Sequence, residues 1–227
     1  MSTRIPKHKH ELKEDKFISF VFRTVDYIKA TWKTFAIVGF IIVAIIIIMA
    51  AYMNHRNKLN EIALQDYSTA INLYNKQNFA AAQDSLSALI ENYKSTEYGK
   101  RAVLYMGKIA LKNQNYENAL EYFTEASKKI DNKLLKKAAM IGVAKYYQTQ
   151  NETELYYKYL AKVAREYPNA NDAPDLYLKV ANYYKENDQI EAAKKIYNLI
   201  TRKYKHSDVH QDAKTNLNKI KKEQLTL

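Results

Sequence analysis

VLYMGKIALKNQNYENALEYFTEA, residues 103 to 126, is the stretch on which the fold turns. Val103, Met106, Gly107 and Ala110 share one side of a helix at 3.6-residue periodicity, and Ala119, Phe123 and Ala126 share one side of a second. The pattern extends well beyond this stretch. Shifted by 37 residues, the chain superposes on itself from 63 to 210, giving four units in unbroken register. The small residue of the first helix recurs as Ala70, Gly107, Ala144 and Ala181, where closely packed paired helices need a minimal side chain. The second helices align as Ala82, Ala119, Tyr156 and Ala193, then Leu86, Phe123, Leu160 and Tyr197, then Leu89, Ala126, Val163 and Ile200, with Tyr156 the one departure from a small residue. Tyr93, Ile130, Tyr167 and Tyr204 close the units, and Pro168 follows its member where a helix should stop. One helix pair cannot bury its own apolar face, whereas stacked pairs can, so these columns are core and most of the tyrosines fall in or beside them.

The run of large residue, apolar-small pair, then Ala, aromatic and Ala resembles the tetratricopeptide repeat over about two-thirds of the chain. The expected fold is all-α: an N-terminal amphipathic helix, one transmembrane helix, then a right-handed α-solenoid of four tetratricopeptide-like helix pairs and a C-terminal capping helix at about 208–222. Only four Gly and three Pro agree with that class, since few tight turns are available. Asn151-x-x-Glu154 and Asp188-x-x-Glu191 read as capping boxes, and Ala173-Pro174 as a first helical turn. Ala213, Leu217 and Ile220 form one narrow stripe on the last helix, as a solvent-facing cap requires.

From Thr34 to Met53 the sequence carries no charge, TFAIVGFIIVAIIIIMAAYM, and twenty helical residues reach roughly 30 Å, the thickness of bilayer hydrocarbon. Trp32 and Tyr52 stand at its ends, where amphipathic rings favour the headgroups. Ala50 and Ala51 would suit a signal-cleavage site, but the apolar run exceeds a signal core and 33 residues precede it, which predicts a retained anchor. Arg4, Lys7, Lys9, Lys13, Lys16, Arg23, Lys29 and Lys33 precede the span, against Arg56 and Lys58 just after it, so the N-terminus is expected in the cytoplasm. The expected domains are a basic, amphipathic segment 1–33, the span 34–53 and an extracytoplasmic repeat domain 54–227. In the first, Phe17, Phe20, Val21, Val25, Ile28 and Trp32 recur at helical spacing with cations between them, as on a helix lying against anionic lipid. The run NHRNKLNE, 54–61, contains neither Gly nor Pro, so the membrane helix can run on into the first repeat. The Lys7-His8-Lys9-His10 run reads as a solvated basic tail.

No glycine-rich phosphate loop, GxSxG, HExxH or cysteine is present, so neither an enzyme nor a cofactor is expected. His206-x-x-x-His210 with Asp208 and Asp212 has ligand-like spacing but reads as a polar turn capped by Ser207 or Asp208. The net charge of +12 comes with interspersed acids, which argues against nucleic acid. Counting from the small position, the first helices place Tyr67, Tyr74, Arg101, Lys108, Lys112, Lys145, Asn182 and Lys185 along the concave face. That basic groove with aromatic edges suits an acidic or extended polypeptide, with cations steering and tyrosines giving contact area. Leu104, Ile141 and Leu178 stand where a carboxylate-clamp version of the repeat has polar residues.

A KHELKEDKF-type basic segment, one span, then repeats joined by linkers such as REYPNANDAPDLY, 165–177, looks like the YfgM-like family of bacterial inner-membrane proteins. The resemblance implies an inner-membrane protein with its repeats in the periplasm, acting as an accessory factor at the Sec translocon alongside periplasmic chaperones. The Tyr-Pro linkers also resemble BamD-like and CpoB-like repeat proteins, which implies the alternative of a structural adaptor for outer-membrane assembly or division machinery. The expected partners are proteins (translocon, chaperone or envelope complex) and membrane lipid, with no nucleic acid and the oligomeric state open.

Overall fold

The structure, a computed structural model, describes residues 16–224; the Lys7–His10 tail lies outside them. Nine helices and no strand occur among the described residues: α1 Lys16–Asn75, α2 Phe79–Tyr93, α3 Glu97–Lys112, α4 Tyr116–Lys129, α5 Lys133–Thr149, α6 Thr153–Glu166, α7 Ala173–Glu186, α8 Ile190–Lys203 and α9 His210–Glu223. The chain divides into two compact units between His55 and Arg56, and α1 contributes to both.

The first unit is the N-terminal part of α1. The amphipathic segment and the apolar stretch, expected as two elements, form one helix without interruption. It is the one described helix long and apolar enough to cross a membrane. Its apolar side chains find no protein partner: Phe40 is 76% exposed and Ile48 67%. Trp32 and Tyr52 are also exposed, about 30 Å apart along the axis at 1.5 Å per residue.

In the second unit the end of α1 pairs with α2, followed by α3 with α4, α5 with α6 and α7 with α8, and α9 packs on α8. Ala70, Gly107, Ala144 and Ala181 are buried, and so are Ala82, Ala119 and Ala193 in the matching column of the second helices. Tyr156, the departure, stays half-buried with its ring against Tyr157. Each core cluster joins the second helix of one unit to the first helix of the next, so Leu86 and Leu89 meet Ala102 and Met106, and Leu160 and Val163 meet Leu176 and Val180. Burying a side chain of this size stabilises the fold by about 1.5–3 kcal/mol, so continuity between units is where the domain gets its stability.

Within each pair the turn is identical. Gln77, Gln114, Asn151 and Asp188, spaced by 37, adopt left-handed backbone with φ of 62°, 60°, 58° and 57°. The next N–H, of Asn78, Asn115, Glu152 and Gln189, reaches back to the carbonyl of Leu73, Ala110, Tyr147 and Tyr184 at 2.8–3.0 Å, the Schellman closure of a helix. Asn151 and Asp188 therefore do not cap the following helices as the sequence suggests. They supply the left-handed residue that ends the preceding one, a conformation short polar side chains tolerate best after glycine, and Glu152 and Gln189 take the cap position without a side-chain bond.

Between pairs the turns differ. Three residues join α2 to α3 and α4 to α5, whereas six join α6 to α7 and α8 to α9. The 37-residue register survives because α7 has 14 residues against 16 in α3 and 17 in α5. In the short α2–α3 turn the buried Thr96 hydroxyl donates to the Tyr93 carbonyl at 2.8 Å and accepts from the Gly99 amide at 3.0 Å. Gly99 is glycine because a Cβ there would collide with that same carbonyl. In the long turns Ala170 and Ser207 donate backbone N–H bonds to Tyr167 and Tyr204, and the Tyr204 hydroxyl ties the loops together by donating to the Pro168 carbonyl at 2.9 Å. α9 begins after Val209, so neither Ser207 nor Asp208 is its cap.

Candidate functional site

Helical spacing sets Tyr98, Arg101, Tyr105, Lys108 and Lys112 along one side of α3, with rings and cations alternating. Tyr67 and Tyr74, two turns apart on α1, flank Tyr105: the centroids are 6.0 and 5.1 Å away with the planes near perpendicular, the edge-to-face arrangement that ring quadrupoles favour. Tyr98 lies 5.4 Å from Tyr67, and Phe79 lies 5.6 Å from Tyr74. The cations cover this cluster: Arg101 lies over Tyr98 at 5.1 Å, Lys108 over Tyr105 at 4.1 Å and Lys112 over Phe79 at 4.4 Å. Each such contact contributes about 0.5–1 kcal/mol where water has access. Arg101 also pairs with Glu97, and its buried Nε is left without an acceptor. Burial, then the charge and hydrogen bond of Tyr105, pushes the Tyr67 phenol well above its usual range.

Beside this cluster is a recess of about 420 Å³ between α3 and α5. Tyr74, Lys108 and Lys145 stand on its rim, and Leu111, Phe123, Ala138, Ile141 and Gly142 form its walls and floor. Neither lysine has a carboxylate partner among the described residues. Burial, and secondarily repulsion from Lys145, holds the Lys108 ammonium below the usual lysine range. A cationic rim beside apolar walls suits anions that carry an apolar group; no group of three or more His, Cys, Asp or Glu among the described residues is placed to hold a metal.

Of the eight groove residues predicted from sequence, the fold brings Tyr67, Tyr74, Arg101, Lys108, Lys112 and Lys145 to this cluster and recess. Asn182 and Lys185 are placed elsewhere and have structural partners. Asn182 Oδ1 accepts from the hydroxyl of buried Tyr197 at 2.6 Å, and Lys185 Nζ donates to Asn216 of α9 at 3.0 Å. Tyr98 and Tyr105 were missed by the sequence reading, although their spacing of seven, interleaved with Arg101 and Lys108, carried the signal.

The sequence profile of the tetratricopeptide repeat-like domain matches residues 26–173, well over half the chain. The chain belongs to this family. The match takes in the apolar stretch 34–53 together with the first three helix pairs and ends at the start of α7. No curated protein matches the chain. A tetratricopeptide repeat-like domain is a non-catalytic fold of protein-interaction scaffolds.

Proposed function

We propose that this chain is a membrane-anchored scaffold whose repeats bind other proteins outside the cytoplasm, as an accessory, chaperone-type factor for polypeptides exported through the Sec translocon. The observation that carries the reading is the combination, inside one family-matched segment, of an exposed charge-free helix and repeats with an uncovered cationic, aromatic face. Side chains such as Phe40 and Ile48 left bare over 34–53 belong in lipid, because contiguous apolar surface of that extent is not maintained in water. The excess of Lys and Arg ahead of the stretch favours a cytoplasmic N-terminus and a periplasmic repeat domain on the bacterial inner membrane. The amphipathic residues from Phe20 to Trp32 would rest in the headgroup layer of the cytoplasmic leaflet.

A photo-crosslinking amino acid at position 112, exposed beside the recess, tests the partner in native membranes. Adducts with the Sec channel and with a spectrum of exported chains support the accessory factor. Adducts with one fixed envelope complex point instead to an adaptor for assembly or division machinery, and the absence of protein adducts rejects the scaffold altogether. A reporter active only in the periplasm, fused after Leu227, is expected to be active; inactivity there rejects the orientation.

A further inference from the structure

The repeat departs from itself at the floor of the recess. Two residues before the small column stand Ser68, Tyr105, Gly142 and Lys179, so α5 alone carries no side chain at that position. Its neighbour across the core explains the glycine. The Phe123 ring is held between α3 and α5: a Cβ on Gly107 would stand 2.8 Å from the ring, and one on Gly142 closer still. The ring takes up the space of the missing side chain, and the recess opens above it between the part-buried Leu111, Ala138 and Ile141, large enough for one leucine- or phenylalanine-sized group. On the rim, Lys108 and Lys145 repel each other with no carboxylate among the described residues to neutralise them, so the recess concentrates positive charge beside apolar walls.

We propose that this recess binds an acidic segment of a partner polypeptide, with an apolar side chain seated against Leu111, Ala138 and Ile141 and an adjacent Asp or Glu carboxylate held between the ammonium groups of Lys108 and Lys145. The inference rests on the scaffold reading and specifies its ligand. Neither half of the site suffices alone: two lysines without an apolar anchor give only a salt-screened attraction, and the apolar walls are too small to hold a segment without the charge. A carboxylate placed between the lysines relieves their repulsion and returns Lys108 toward its ordinary basicity, so binding takes up a proton at alkaline pH.

The test uses the full chain in nanodiscs of zwitterionic lipid and a fluorescent, end-blocked pentapeptide of serine, glutamate, phenylalanine, glutamate and serine. Replacing its glutamates by glutamine, or its phenylalanine by alanine, should each weaken binding about tenfold. Lys145→Glu, at an exposed position, should abolish binding without altering the melting temperature. Equal affinity for the glutamine peptide, unchanged binding by Lys145→Glu, or no binding of the peptide at all would overturn the proposal. The crosslinker at position 112, carried in the Lys145→Glu chain, separates the two readings. Adducts that persist while the pentapeptide fails to bind reject this pocket and leave the scaffold standing; no adducts in either chain reject both.

Discussion

Repeats two and three and repeat four start from the same column of one repeat and end with different surfaces. One residue after the small position, repeats two and three carry Lys108 and Lys145, cations without a carboxylate partner, while repeat four carries Asn182, committed to a buried hydroxyl. The cause is the residue opposite, on the second helix. In repeat two it is Phe123, which asks nothing polar of its neighbours and packs against glycine. In repeat four it is Tyr197, fully buried, whose hydroxyl must find an acceptor, and the column supplies Asn182 at 2.6 Å. A single oxygen in the core thus decides whether the surface above it is occupied or open.

The largest expected effect comes from breaking the Phe123 arrangement. Gly142→Ala should destabilise the domain by about 3 kcal/mol in denaturant melts, because the ring is held on both sides and cannot retreat. Adding Phe123→Leu, the residue of repeats one and three at that column, should recover most of the loss; a purely additive pair would show that the ring is not the obstacle. In repeat four, Asn182→Ala should cost about 1–3 kcal/mol by stranding the buried hydroxyl, and Tyr197→Phe only about 1 kcal/mol, since the freed Asn182 can turn to water. The same hydroxyl carries a pH dependence. Burial, then Glu186, pushes the Tyr197 phenol up to about 12 from 10.0, so the fold retains a proton that the unfolded chain releases. Its stabilisation is therefore complete below pH 10 and lost as pH rises toward 12, and Tyr197→Phe should flatten that decline in thermal melts. The smallest effect lies in the shared turns. Gln77→Gly and Gln114→Gly should each raise stability by about 0.5–1 kcal/mol by relieving left-handed strain, with less gain at Asn151 and Asp188, where the side chain already tolerates it.

The fold was largely legible because its determinants are periodic. The small column and the apolar columns face the core in all four units, and a periodic apolar pattern has one economical solution, a stack of helix pairs. The turns were less legible: Asn151 and Asp188 serve helix caps and left-handed closures equally well in sequence, and only the six-to-one hydrogen bonds separate the two uses. The candidate site was legible where it obeys the repeat and obscure where it departs from it. Lys108 and Lys145 followed from counting, but Asn182 and Lys185 followed by the same counting and turned out to be tied to Tyr197 and Asn216. Counting gives a residue's position on a helix face, whereas its freedom depends on what the neighbouring helix demands. Gly142 is the converse case, a residue that does nothing chemical itself and whose absent side chain makes room for the Phe123 ring at the base of the recess.

The central claim is that this scaffold binds protein through the open cationic face of α3 and α5. Photo-crosslinkers placed in turn at position 112 and at position 219, on the exposed side of α9, test it most directly in native membranes. The account predicts polypeptide adducts from 112 that disappear in Lys145→Glu, and few from 219. Equal yields at the two positions, or adducts at 112 indifferent to Lys145→Glu, would contradict it.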